Sequence, residues 1–498
     1  MTKTETTLTS GFLKTLAALG ATALLGGCVV GPDYQSPIVR MPTHWGGKPQ
    51  KTAAKPAQLA EWWKRLNDPL LDALVEEAVA GNLDVATAKA KVREARASYR
   101  QAVGTLLPSV DGSASATRSR TASVGAGAST GNQFQTGLDA SWEIDLFGAN
   151  RRSVEAARYG MDAAEEDLRN TLVTLIGDVA TNYVEARGYQ ARIALARRTA
   201  ASQRETAKLT RNKFEAGASS AVDLANASGQ AASTEANIPD LETAYAEAVH
   251  RLSVLTGRAP AALSERMRKV KPIPRPKLPM PTGIPADILL TRPDVRLADR
   301  QYAQYTAKVG QAEAARYPSL SLTGDIATTG TKIGDLGKSS SISWSFGPSL
   351  SVPIFNGGQL KAAVDVAQAQ RDQYFVAYRA AILTALEDVE NAIVALAQER
   401  IKSGKLASAT RHYREAASLA SSLYQSGTQS FLDLLEAQRS YYSAEDSLIA
   451  SQVAISTDYV ALNKALGGGW NGAIDVSRPE LVDANTGPRL AGRRAANP

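Results

Sequence analysis

Bond-making chemistry needs titratable or metal-binding side chains gathered in one place, and this chain is poor in the most versatile of them. Its 498 residues include three histidines, His44, His250 and His412, widely scattered, and a single cysteine, Cys28. Serine and aspartate are plentiful, but no histidine is spaced to serve them as the base of a hydrolytic triad. A phosphate-cradling glycine loop and metal-ligand spacing are both missing from the sequence. The expectation is a protein that is not an enzyme and that holds neither a metal nor a dissociable cofactor.

The cysteine points to a different chemistry. It closes the run Leu25-Gly26-Gly27-Cys28, directly after an apolar stretch from Leu16 to Leu25 and a weak basic start in which Lys3 and Lys14 oppose Glu5. A short apolar core ending in small residues is a secretory signal, and its boundary matches a bacterial lipobox. Residues 1–27 are therefore expected to be removed and Cys28 to carry a covalent lipid, whose acyl chains add about 0.8 kcal/mol of membrane affinity per buried CH₂. Val29 follows, where an Asp would retain many such proteins at the inner membrane, so an outer-membrane address is favoured.

The formal charge of +7 falls to +6 once Lys3, Lys14 and Glu5 leave. The densest basic stretch, from Arg266 to Lys277, is interleaved with Pro272, Pro274 and Pro276 rather than with aromatics. Prolines hold such a segment extended, so it reads as a solvated linker and not as a nucleic-acid surface. Mean hydropathy is -0.20, and beyond the signal no apolar run reaches the roughly 18 to 20 residues of a spanning helix. Any membrane crossing must be made of β-strands.

The elements repeat. Pro108-Ser109-Val110 returns as Pro318-Ser319-Leu320, an offset of 210 positions. At that same offset Phe214, Gly217, Ser220, Asp223-Leu224 and Ala227 return as Tyr424, Gly427, Ser430, Asp433-Leu434 and Ala437. Asp84-Val85, Asp178-Val179, Leu252 and Gly257 return as Asp294-Val295, Asp388-Val389, Leu462 and Gly467, with a small slip at Phe147 and Phe355. A duplicated unit of about 200 residues explains this. The expected boundaries are a lipidated extended segment 28–68, repeat 1 over 69–270, a proline-rich linker 271–285, repeat 2 over 286–466 and a tail 467–498.

Each repeat carries two strand signals. Phe134, Leu138, Ala140, Trp142 and Ile144 alternate with Gln135, Asp139, Ser141, Glu143 and Asp145, and Val110, Gly112, Ala114 and Ala116 alternate with serines and Asp111. Repeat 2 offers Leu320, Leu322 and Ile326, then Ile342, Trp344, Phe346, Leu350, Val352 and Ile354 against serines. Hairpins are expected over 108–146 and 318–354, the first with a solvent-exposed loop from Thr121 to Gly131. A soluble sandwich would alternate in the same way. The small, aromatic-tipped apolar series and the strand lengths fit a lipid-facing band better. Four strands are too few to close alone, since transmembrane barrels start at about 8, so a spanning barrel would be shared between subunits.

After each hairpin the period becomes helical. Phe375, Tyr378, Ile382, Ala385, Val389, Ala392 and Leu396 step by three and four. No proline interrupts 150–213, and those 64 residues would span about 96 Å. Long helices are expected over 150–213 and 358–424, with return helices over 221–256 and 430–466 and a leading helix over 69–104. Gly217 and Gly427 sit where the chain must reverse.

These residues resemble the TolC-like outer-membrane efflux proteins, most closely their lipidated NodT-type branch. The resemblance rests on Gly31-Pro32-Asp33-Tyr34 after Cys28, Trp62-Trp63, the run from Trp142 to Gly148, Arg292-Pro293-Asp294-Val295, the run from Pro353 to Gly358 and the run from Leu434 to Arg439. It implies an α+β membrane protein, a homotrimer whose 12-stranded β-barrel continues into a 12-helix periplasmic α-barrel. Its partners would be a periplasmic adaptor (membrane fusion) protein, an inner-membrane resistance-nodulation-division transporter and outer-membrane lipid, with no nucleic acid. The implied function is a passive exit duct for multidrug efflux, with a type I protein-secretion duct as the alternative and a lipid-anchored structural coiled coil as a more distant one. The resemblance further implies a periplasmic gate in which Leu432 is the apolar plug, Glu436 the acidic ring member and Arg439 an interhelical tether. Asn226 is the neutral counterpart of Glu436 in repeat 1, and the turns at Gly217 and Gly427 would meet the adaptor.

Overall fold

The computed structural model describes residues 29–38, 59–123, 127–276 and 286–478. The signal segment and Cys28 lie outside the described residues, as do 39–58, 124–126, 277–285 and the chain beyond 478. The chain divides into two compact units, and the division cuts across both repeats. One unit gathers 92–165 and 297–379 with the segment ending at Ile38, and the other gathers the stretches between.

The elements run α1 (Pro69–Gly81), α2 (Leu83–Gly104), β1 (Ser109–Ser123), β2 (Gly127–Ile144), α3 (Ala149–Glu215), α4 (Ala221–Ala236), α5 (Ile238–Leu255) and the short α6 (Ser264–Met267). They continue as α7 (Pro293–Ala314), β3 (Ser319–Gly330), β4 (Ile342–Ser351), α8 (Gln359–Ser426) and α9 (Phe431–Ala465). Helices α3 and α8 have 67 and 68 residues. The stripe expected on α8 is buried at Tyr378, Ile382, Ala385, Val389, Ala392 and Leu396.

Three expectations are corrected. The segment from Thr121 to Gly131 is not an open loop, because β1 and β2 pair as far as Ser123 opposite Gly127. Small and hydroxyl side chains carry no outward apolar signal, yet their backbones complete the ladder. The leading helix breaks at Asn82, whose backbone turns extended (φ -72, ψ 134) and whose Oδ1 caps α2 by accepting from the backbone N–H groups of Asp84 and Val85. The first return helix breaks at Asn237, because Pro239 lacks the N–H that would continue it, whereas α9 runs unbroken.

In the strand-bearing unit the four strands form one antiparallel sheet in the order β1-β2-β3-β4. Arg152, almost fully buried, pins the N-terminal segment there, donating to the carbonyls of Val30 and Gly31 at 3.2 and 3.1 Å and to Asp33 at 2.7 Å. Tyr34 sets its ring edge-on against Tyr159 and Tyr302 and donates a hydrogen bond to Asp299. A Cβ at Gly31 would meet Gly310 Cα at 2.4 Å, so glycine is what allows this approach.

The helical unit is centred on Trp62, Trp63, Leu71, Leu74, Ile176, Tyr183 and Leu252. Its buried Arg187 is held by the Tyr183 hydroxyl at 3.1 Å, by Gln190 at 2.7 Å and by the Lys269 carbonyl at 2.9 Å. The duplication is visible in detail. Asn82 Nδ2 donates to the carbonyl of Leu255, and 210 positions later Arg292 Nη1 donates to the carbonyl of Ala465. Each tie closes a helix end just before a left-handed glycine, Gly257 (φ 74) or Gly467 (φ 72).

Candidate functional site: an open sheet and a pair of capped helical turns

Register gives the sheet two unlike faces. Ala140 stands opposite Val110 and Gly324, Trp142 opposite Leu322, Leu138 opposite Ile326, and Ile326 opposite Trp344. One face is thus apolar across all four strands, and the described residues do not cover it. Val110, Trp344, Phe346 and Leu350 are 64, 75, 70 and 62% exposed. A sandwich would bury such residues against a second layer; the described strands form a single sheet. On the opposite face serines and threonines are joined by one row in which Asp111 pairs with Asp139, Asp139 with Asp325 and Asp325 with Ser345. Among the described residues, no helix is long and apolar enough to cross a membrane.

The second site lies in the helical unit, where α3 gives way to α4 and α8 to α9. Gly217 and Gly427 adopt φ of 73 and 80. At each, the following residue's N–H reaches back five positions, Ala218 to Lys213 at 2.7 Å and Thr428 to Leu423 at 3.0 Å, while the glycine N–H bonds three back. This double closure satisfies the last helical carbonyls. Ser220 and Ser430 then cap the next helices, each hydroxyl accepting from the backbone N–H of Asp223 or Asp433. Burial raises the Asp223 carboxyl pKa, and hydrogen bonds from Ser220 and Ser219 together outweigh it, leaving it below the ordinary value.

Beneath the turns Ala227, Ala420, Tyr424, Phe431, Leu434 and Leu435 form a buried cluster. Leu432 and Glu436, four apart and hence on one face of α9, are both exposed, Leu432 at 66%. Asn226 is exposed on α4. Arg439 bridges the two helices, donating from Nε to Gln230 Oε1 at 2.7 Å. Sequence reasoning missed four members of this site. Tyr424 shares a hydrogen bond of 2.9 Å with Thr210, Lys213 Nζ lies 4.4 Å above the Tyr424 ring and donates to its carbonyl, and Gln230 receives Arg439. A signal for Tyr424 existed: it replaces Phe214 of the first copy, and a hydroxyl added to a buried ring needs a partner.

An open amphipathic sheet of four strands joined to helices of this length defines an outer-membrane channel subunit of mixed α and β structure. The outer membrane efflux protein profile matches the chain twice, over 74–258 and 284–468, two segments 210 positions apart, as the internal repeat requires. Nodulation protein T of Rhizobium leguminosarum bv. trifolii is 36% identical over 452 residues, covering 90% of this chain and 96% of the relative. The toluene efflux pump outer membrane protein TtgI of Pseudomonas putida is 34% identical over 463 residues, covering 91% and 97%. Among solved structures, the outer-membrane channel OprN is similar at a TM-score of 0.83 and 33% identity, over 89% of this chain and all of that one. The chain belongs to the outer membrane efflux protein family and is an outer-membrane efflux channel component.

Proposed function

We propose that three copies of this chain assemble into the exit duct of a tripartite multidrug efflux pump, a passive conduit whose energy comes from an inner-membrane resistance-nodulation-division transporter reached through a periplasmic adaptor. The observation that carries the assembly is the uncovered sheet. Strands β1 and β4, of 15 and 10 residues, are the outer strands of the sheet and each pairs on one side only among the described residues. In lipid, unpaired backbone groups are too costly to leave, so a spanning sheet must close on itself. Three chains supply twelve strands, above the minimum of about 8. The apolar face then meets lipid and the serine-, threonine- and aspartate-rich face lines the pore.

Cys28 is the lipid attachment point in this reading. The next residue, Val29, packs against Gly148, where an added Cβ would lie 2.8 Å from Val29 Cγ1, four positions past the end of β2. The names of the relatives speak of efflux and nodulation, and no observation favours the protein-secretion alternative.

The gate is assigned to the exposed Leu432 and Glu436 faces of the three α9 helices, held by Arg439. Acidic side chains converging on a narrow lumen repel one another, by about 4 kcal/mol for a pair at 4 Å with an effective dielectric of 20. The Leu432 contacts and the Arg439 bridges oppose that repulsion. Leu432→Ala combined with Arg439→Ala should raise single-channel conductance in planar bilayers, while Glu436→Gln should weaken cation selectivity and leave the closed state intact. Wild-type conductance in the double variant together with unchanged selectivity in Glu436→Gln would place the constriction elsewhere.

A further inference from the structure

Strands β1 to β4 carry six charged side chains, and the sheet sorts them by sign. Asp111, Asp139, Glu143 and Asp325 stand on the serine- and threonine-rich face, and Arg118 and Arg120 stand on the apolar one. Along the apolar face the cross-strand rows run without a charge from Ile144 with Leu320 and Leu350 to Phe134 with Ala116 and Gly330. At about 3.4 Å per residue and a tilt of about 40°, the strand from Ile144 to Phe134 rises about 26 Å, the height of the apolar band of a transmembrane barrel, roughly 25 Å. The next two rows bring the arginines, Arg118 opposite Asn132 and Arg120 opposite Thr130.

Two residues apart on one side of a strand, these cations lie about 7 Å from each other. Both are exposed, and neither has an ion pair or hydrogen bond among the described residues. Their cross-strand neighbours are uncharged, and every acid of the four strands points the other way, so a counter-anion must come from outside the sheet. The hairpin itself does not require them. At the matching places in the second copy, 210 positions later, stand Thr328 and Gly330. Strand β1 follows α2 and β2 leads into α3, so the arginines lie toward the β1–β2 turn, at the end of the hairpin away from both helices.

We propose that Arg118 and Arg120 form a docking surface for a phosphorylated lipid of the outer leaflet, whose headgroup phosphates they bind. The assignment rests on the apolar face meeting lipid. Given that, the first rows past the band stand at headgroup level, where the anions within reach are carried by lipids. A guanidinium fork matches a phosphate with two parallel hydrogen bonds, and each arginine near an anionic lipid surface adds to its hold. The same face selects lipid over free phosphate, because the apolar rows directly beside the pair take the acyl chains of the molecule whose headgroup the arginines bind.

Bisphosphorylated lipid A is the probe, titrated into the full chain purified in a nonionic detergent, with bound lipid counted by native mass spectrometry. Wild type should bind it saturably, and Arg118→Gln combined with Arg120→Gln should bind it about tenfold more weakly or worse. Exchanging neighbours, as Thr117→Arg, Arg118→Thr, Ser119→Arg and Arg120→Ser together, keeps the net charge and turns both arginines to the other face. That variant should bind as weakly as the double glutamine variant, which an effect of net charge alone would not produce. Lipid A stripped of its phosphates should bind wild type and the double glutamine variant alike, and millimolar inorganic phosphate should not displace the intact lipid. Lack of saturable binding to wild type, equal affinity in the double glutamine variant, or wild-type affinity in the exchanged variant would overturn the proposal and leave two solvated surface charges. Displacement by inorganic phosphate would overturn it in favour of a free-anion site. A nitroxide on Trp344→Cys in a Cys28→Ser background, in bilayers, tests the underlying reading separately. Relaxation by oxygen above that by a water-soluble nickel chelate places the face in lipid, so that a negative binding result counts against the arginines alone. The reverse order would overturn the reading of the face and the proposal with it.

Discussion

Arg292 and Asn82 occupy matching places in the two copies and perform the same task with different side chains. Arg292, buried to all but 7%, donates to the Ala465 carbonyl at 2.6 Å and forks onto Asp294 at 3.0 and 2.6 Å, with Asp388 at 3.2 Å. Burial alone would lower its pKa, and the two carboxylates outweigh that, raising it above the ordinary arginine value. Hydrogen bonds involving a charged group contribute about 1.5–3 kcal/mol, and neutral ones about 1. Arg292→Ala should therefore lower the thermal midpoint followed by circular dichroism distinctly more than Asn82→Ala. Arg292→Lys should recover only part of the loss, because an ammonium cannot reproduce the planar fork. Equal losses in the two alanine variants would show that the carbonyl tie, and not the charge network, is what matters in the second copy.

Among the elements, the sheet makes the sharpest distinction between faces. Trp344 and Ser343 are neighbours on β4 and point to opposite sides. If the apolar side faces lipid, an arginine there costs about 2–4 kcal/mol at the bilayer midplane and about 0–1 near the interfaces, whereas the lumen tolerates charge. Trp344→Arg should reduce the yield of heat-modifiable folded protein in outer-membrane fractions, and Ser343→Arg should leave the yield unchanged while altering ion selectivity. The opposite ranking would invert the assignment of faces. The turns at Gly217 and Gly427 are fixed by local rules: left-handed glycine, double carbonyl closure, serine cap. Their agreement between the copies reflects that locality.

For the whole molecule, closure is the governing requirement. A single chain exposes an apolar sheet face and two strand edges, which is an aggregation hazard in water and an unsatisfied ladder in lipid. Crosslinking of detergent-purified protein should give a ladder that stops at three. Cys28→Ser should abolish palmitate labelling yet give the same ladder, because Arg152 and Tyr34 hold the N-terminal segment without the lipid. A monomer that conducts fully would refute shared closure.

The sequence alone determined what depends on period and punctuation. An offset of 210 revealed the duplication, alternation revealed four strands and their faces, and proline-free apolar steps revealed the long helices, since each is a local or repeated signal carried by side-chain type. It misplaced what backbone pairing decides, extending a loop over Thr121 to Gly131, because small polar residues say little about whether their N–H groups find a partner across a ladder. It also missed the breaks at Asn82 and Asn237, where capping by one amide and the lost N–H of a nearby proline outweigh helix propensity. Only the tertiary structure brought Arg439 to Gln230 and Thr210 to Tyr424, more than 200 positions apart in each case, and left the buried Gln203 amide without a hydrogen-bond partner among the described residues. It also regrouped the two lengthwise copies into two units that each draw on both. Those arrangements arise from helices packing side by side, and sequence spacing does not encode which residues of different helices meet.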